Sequence, residues 1–185
     1  MQERMGVYDE VVLDRGKGAN SKMSIMGEVH AVLTGPDGLV KAECRVKNLV
    51  TSVGDQYYAG RAALSSGLPA QVTGFRLGTG GTAVATSGAG AAIVTYLSGS
   101  NKANDGGFPT AVAGVVTWKR TYAAGEATTA SAITEVVLNT DTIANDNATT
   151  ATAANTISRA LLTGIGSKGA SDTLTITWTH TLLGA

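Results

Sequence analysis

Residues 173–183 read Thr-Leu-Thr-Ile-Thr-Trp-Thr-His-Thr-Leu-Leu, and this run constrains the fold more than any other stretch. Successive side chains point to opposite faces only in an extended strand. There Leu174, Ile176, Trp178, His180 and Leu182 share one face, and Thr173, Thr175, Thr177, Thr179 and Thr181 share the other. A strand with such an apolar face needs a second layer to bury it. The β-branched threonines suit a pleated surface.

The same period of two recurs near the start. Val29, Ala31 and Leu33 fall on one face. After Thr34-Gly35-Pro36-Asp37-Gly38, the residues Val40, Ala42, Cys44 and Val46 alternate with Lys41, Glu43, Arg45 and Lys47. Pro and Gly at those offsets mark a tight turn, so the two runs predict a β-hairpin with one charged face. Between Asn48 and Gly67 the pattern changes to helix. Ser52 is the expected cap, with Asp55 three residues on, and Val53, Tyr57 and Leu64 form the expected stripe. Beyond Pro69 the chain reads as short strands around Phe75–Leu77, Val116–Tyr122, Ala132–Leu138 and Thr156–Thr163, joined by loops rich in Gly and Ala. Strands at this spacing with one helix predict a mostly β protein, an antiparallel β-sandwich with one short helix. Residues 1–24 show no clean period, and an extended N-terminal arm is expected over 1–27, with a single domain over 28–185.

Charge narrows the function. Lys plus Arg and Asp plus Glu each number 14, so no basic excess favours nucleic acid. No apolar run reaches the ~18–20 residues that span a bilayer, and the charged start Met1-Gln2-Glu3-Arg4 does not read as a secretory leader. The single Cys44 excludes an internal disulfide. Of the 28 charges, 15 lie in the first 60 residues and 13 in the remaining 125. The later surface, rich in Thr, Ala, Ser and Gly, suits contacts inside an assembly.

Motifs for chemistry fail their physical requirements. His30, His180 and Cys44 fall on separate strands and do not make a zinc site, and His180 on an apolar face reads as a hydrogen-bonded core group. Asp141 to Asn147 lacks the spacing of a calcium loop. Gly164-Ile165-Gly166-Ser167-Lys168-Gly169 precedes a strand rather than the helix N-terminus a dinucleotide needs, and Gly78-Thr79-Gly80-Gly81 lacks the Lys of a phosphate loop. No nucleophile elbow is present and Cys44 faces the core. No catalytic residue, metal or cofactor is expected.

The order of segments carries a resemblance. The hairpin leads to VKNLVTSVGDQYYAGRAAL (46–64), then GFRLGTGGTAVATSG (74–88), TYAAGEATTASAITEVVLN (121–139) and ISRALL followed by SKGASDTLTITWTHTLLGA (157–185). This set resembles small virion structural proteins of tailed bacteriophages over roughly residues 28–185, departing at Gly81, where Thr is frequent, and at Val137, where Gly is frequent. The resemblance implies a non-enzymatic role in the virion, assembled in the bacterial cytoplasm. The leading expectation is a capsid decoration, or cement, protein that acts as a homotrimer on the major capsid protein. The alternative is a minor tail or fibre-attachment protein using loops 99–109 and 139–155. On this reading Tyr8, Val11, Val12, Leu13 and Arg15 of the arm reach a partner strand, and Thr173, Thr175, Thr177, Thr179 and Thr181 form the contact between copies. Neither nucleic acid nor membrane is an expected partner. An enzyme or carbohydrate-binding module would need an exposed aromatic platform or paired carboxylates, whereas Trp118, Tyr122 and Trp178 fall on core-like faces.

Overall fold

A computed structural model describes residues 24–146 and 152–183. Its strands form two five-stranded antiparallel sheets that pack as a sandwich. In the first sheet β1 (Ser24–Thr34), β2 (Val40–Lys47), β6 (Thr110–Val112), β7 (Val115–Tyr122) and β10 (Thr173–Leu183) lie in the order β2-β1-β10-β7-β6. The second contains β3 (Leu49–Val50), β4 (Gly74–Gly78), β5 (Lys102–Ala103), β8 (Glu135–Asn139) and β9 (Thr156–Leu161), in the order β3-β9-β8-β4-β5. One helix, α1 (Ser52–Ala63), follows β3. The expected fold class is therefore the observed one. The arm residues 1–23 lie outside the described residues, and β1 begins at Ser24, so positions 24–27 belong to the sheet and not to an arm ending at 27.

The alternating run at the C-terminal side becomes the central strand of the first sheet. It pairs along its length with β1, from Ser24 opposite Leu183 to Thr34 opposite Thr173. On its other edge it pairs with β7 from Leu174 to Thr181. Leu174, Ile176 and Trp178 meet Val29, Ala31, Leu33 and Trp118 from their own sheet and Phe75, Leu77, Val136, Leu138 and Ile157 from the opposite one. Trp178 is fully buried, and its ring centroid lies 6.1 Å from that of Phe75 across the layers.

The hairpin forms as the turn residues dictate. Gly38 adopts φ +80°, the region open to glycine, and its N–H donates to the Gly35 carbonyl at 3.0 Å. A register shift moves Thr34 opposite Val40 while Leu33 stays opposite Ala42, which leaves Lys41 as the extra residue of a bulge. The bulge turns Val40 outward, so it is exposed rather than on the apolar face its spacing implied. It also aims Lys41 Nζ at the Asp172 carboxylate, 2.8 Å away at the entry to β10.

The helix start differs from expectation by one residue. Thr51 is the cap: its Oγ1 accepts the Gly54 N–H at 3.1 Å while its hydroxyl donates to the Thr156 carbonyl at 2.5 Å. A threonine can do both, and β9 supplies the second partner, so Ser52 is left as the first helical residue. The helix docks most deeply through Gly54 and Tyr58, with Val53 and Tyr57 of the expected stripe half-buried against the core and Leu64 outside it. A Cβ at Gly54 would stand 2.2 Å from the Ile157 carbonyl oxygen, so only glycine permits this approach. The helix ends at Ala63, and Leu64 is extended and half-exposed.

Emptying the Trp178 site by Trp178→Ala is expected to lower unfolding free energy by about 3–5 kcal/mol, measured by urea denaturation. An unchanged midpoint would mean that the ring contributes nothing to the core.

Candidate functional site

The two outward faces of the sandwich are finished differently. The second sheet is sealed. Every residue of β4 and β8 is buried, because the segment from Thr79 to Leu97 folds over their outer side. Val137 packs there against Ile93 and Tyr96. Beside it Glu135 and Arg159, both fully buried, form an ion pair with Arg159 Nη2 2.6 Å from Glu135 Oε2. Glu135 Oε1 also accepts the N–H groups of Gly80 and Thr95, each at 2.9 Å, and of Val94 at 3.2 Å. Arg159 Nη1 donates to the carbonyls of Thr82 at 2.8 Å and Gly90 at 3.2 Å. The Gly78-Thr79-Gly80 turn thus holds a carboxylate of its own chain. A Cβ at Gly78 or Gly80 would fall 2.5 or 2.6 Å from Glu135 Oε1, whereas one at Gly81 would meet nothing. Further along, Arg76 is buried against Asp141 at 2.5 Å and lies over the Tyr96 ring. A buried pair adds little net stability when satisfied, but it fixes where the covering segment lies, since either charge alone would be buried without a partner.

The outer face of the first sheet remains open. The five threonines, Thr173, Thr175, Thr177, Thr179 and Thr181, line its middle strand, each half-buried by its neighbours. Thr177 stands between His30 on β1 and Lys119 on β7, Thr179 between Glu28 and Thr117, and Thr175 between Val32 and Thr121. Toward the β2 edge polar side chains pair on the surface: His30 Nε2 lies 2.7 Å from Glu43 Oε1, and Arg45 Nη1 pairs with Glu28 Oε1 at 3.3 Å. Such exposed pairs are worth ~0–1 kcal/mol each, so they are free to exchange partners. The face therefore offers a hydroxyl and methyl centre with a charged margin. The arm residues Tyr8, Val11, Val12, Leu13 and Arg15 lie outside the described residues.

Under this face lies a polar knot at the expected core histidine. His180 is fully buried. Its Nε2 receives two N–H groups, Trp178 Nε1 at 3.0 Å and Asn48 Nδ2 at 3.0 Å. That nitrogen therefore carries no proton, and the neutral ring donates from Nδ1 to Tyr58 Oη at 2.5 Å. Asn48 Nδ2 also donates to Ser158 Oγ, whose hydroxyl donates to the Leu49 carbonyl at 2.7 Å. Burial holds the imidazole well below its usual range, at about 4.

Five of the 13 charged residues after residue 60 are inside the molecule. Arg76, Glu135, Arg159, Lys168 and Asp172 are all buried, and Lys168 Nζ donates to the Ala123 carbonyl at 2.9 Å. Arg120 pairs with Glu126 at 2.6 Å, and Asp105 accepts from the Thr121 N–H at 3.0 Å. Sequence reasoning placed none of these groups. The available signal was position: Arg76 sits between Phe75 and Leu77, and Arg159 inside an otherwise uncharged strand. Among the described residues no three His, Cys, Asp or Glu side chains gather as a metal site, and no helix is long and apolar enough to cross a membrane. Comparison with protein-family models, curated proteins and solved structures finds no match to this chain.

Two outcomes are expected. Glu135→Ala leaves Arg159 buried and alone and is expected to cost about 3–5 kcal/mol in urea unfolding. For His180, the unfolded side chain titrates near 6.5 and the folded one near 4, so the unfolded state binds the proton first as pH falls. Its contribution is complete above pH 6.5, declines between 6.5 and 4, and levels off below. The loss amounts to roughly 3 kcal/mol, and His180→Gln is expected to flatten the urea midpoint over this window.

Proposed function

We propose that the chain is a non-enzymatic structural protein of a tailed-phage virion, a capsid decoration protein that acts as a homotrimer and bridges neighbouring major capsid subunits. The observation that carries this reading is the unequal finish of the sandwich. One sheet is sealed by the chain's own loops, and the other keeps a broad threonine centre bordered by charged side chains. A surface of that kind suits close packing with a second protein, because threonine loses little side-chain entropy and its hydroxyl is satisfied from either side. The sequence resemblance to virion structural proteins supports the same direction.

The attachment of the N-terminal segment supports a tension-bearing role. It continues into β1, which pairs with β10 over eleven residue pairs and with β2 over seven. Antiparallel ladder bonds run perpendicular to the strands. A pull on the segment against a body held by its open face therefore loads many bonds together in shear. The tail reading relies on adaptable loops. Loop 99–109 is instead tied into the body by Asp105 to Thr121 at 3.0 Å and by Asn101 to the carbonyls of Thr142 and Ile143, each at 3.0 Å. This favours the head.

Removal of residues 1–23, which leaves β1 whole, is expected to preserve the melting transition and abolish saturable binding to DNA-free phage heads. Unchanged affinity would overturn the arm as the bridge, and binding confined to purified tails would replace the head assignment by the tail one.

A further inference from the structure

Among the described residues the two sheets end on four edge strands, and one of these is long enough to template another chain. β3 and β5 have two residues each and β6 has three, whereas β2 has eight. The ladder between β1 and β2 fixes which backbone groups of β2 are spare. The Asn48 N–H donates to the Gly27 carbonyl at 3.2 Å, so these two residues form a hydrogen-bonded pair. Bonded and non-bonded pairs alternate along an antiparallel ladder. The next bonded pairs are therefore Val29 with Val46, Ala31 with Cys44 and Leu33 with Ala42. The N–H and C=O groups of Glu43, Arg45 and Lys47 point the other way, and among the described residues no strand pairs with them. The side chains of Arg45 and Glu43 are 57% and 49% exposed.

We propose that this edge joins two copies of the chain, β2 against β2, across a two-fold axis at Cys44. A two-fold contact requires a surface that complements itself. Spare backbone groups alternate along the strand, so an antiparallel pair of β2 strands sets residues 43, 45 and 47 against one another and changes register in steps of two. With the axis at Cys44, Glu43 of each copy faces Arg45 of the other, and the same ion pair forms on both sides of the axis. An axis at Glu43 or at Arg45 instead sets two glutamates or two arginines face to face. Opposite charges directly across a ladder stabilise it and like charges destabilise it. The bulge removes the one remaining conflict: it turns Lys41 to Asp172 Oδ2 at 2.8 Å, away from Lys47 of the second copy. Within one copy Glu43 and Arg45 meet His30 and Glu28 in exposed pairs, which exchange at little cost. The charges on β2 therefore repel an unmatched strand and select this chain in one register. The contact uses the edge of the sheet and not its threonine face, so it stands apart from the virion reading.

The test is sedimentation equilibrium of the full chain with the charge reversed at either position. Each substitution acts on both sides of the axis. Glu43→Arg sets arginine against arginine, and Arg45→Glu sets glutamate against glutamate. Either variant alone is expected to self-associate at least about tenfold more weakly than the wild type. An equimolar mixture of the two is expected to recover the wild-type association, because each arginine-bearing β2 then meets a glutamate-bearing one. The same association in the wild type and both variants, or none in any of them, would overturn the proposal. So would a mixture that behaves as the sum of its separate components. Both side chains are exposed, so their reversal leaves the core intact. A variant that had merely unfolded would not recover on mixing, which separates lost pairing from lost folding.

Discussion

A neutral imidazole sits where the layers of this protein join. His180 belongs to the central strand of one sheet, yet its hydrogen bonds lead to the helix through Tyr58 and, through Asn48 and Ser158, to the second sheet. Trp118 presents its ring edge-on at 5.2 Å, so the ring is enclosed by aromatic groups as well as bonded. Each partner accepts one orientation. Two N–H donors demand an unprotonated Nε2, and that fixes the proton on Nδ1. With both ring nitrogens bonded in this way, a shift of either sheet or of the helix strands a donor in an apolar interior. Gly27 is part of the same constraint: a Cβ there would fall 1.6 Å from Asn48 Oδ1.

A second set of buried charges performs the corresponding task on the far side. Glu135 and Arg159 collect backbone groups from a long segment whose one regular element is a 3-10 turn at Gly88–Ala91, and hold it against the sheet. Such a segment would otherwise carry unpaired N–H and C=O groups at a buried surface. The carboxylate takes the N–H groups and the guanidinium takes the carbonyls. The sandwich is thereby closed on one side by electrostatics and left open on the other by the absence of any covering segment among the described residues. That asymmetry gives the molecule a direction.

The parts of the fold legible in the sequence were those with one wet face. β2 and β10 alternate because one side meets water or a surface layer, and the hairpin, the last strand and the core position of His180 all follow from that alternation. β4, β8 and β9 are covered on both sides, so their residues show no period. The expected alternation over Ala132–Leu138 accordingly gives way to a strand that starts at Glu135. The helix stripe was legible in part. Val53 and Tyr57 pack against the core as their spacing implies, whereas the close approach to β9 depends on Gly54, a residue with no side chain to count in any hydrophobic pattern. Of the proposed contact residues, the threonines share the face their spacing implies, because that assignment needs only local geometry. The buried Arg76, Arg159 and Lys168 escaped notice because their partners, Asp141, Glu135 and Ala123, lie far off in the chain.

The pairing of Ser24 with Leu183 has a consequence for how such a body joins to other chains. The strand that enters the described fold and the strand that leaves it are neighbours, and their outer ends lie side by side. A domain with that arrangement is a cassette. It can be spliced into a surface turn of a host protein with short connectors, and the host chain resumes its course almost where it left off. It can equally be permuted, with those ends joined and new ones opened at the exposed turn around Pro36 and Asp37.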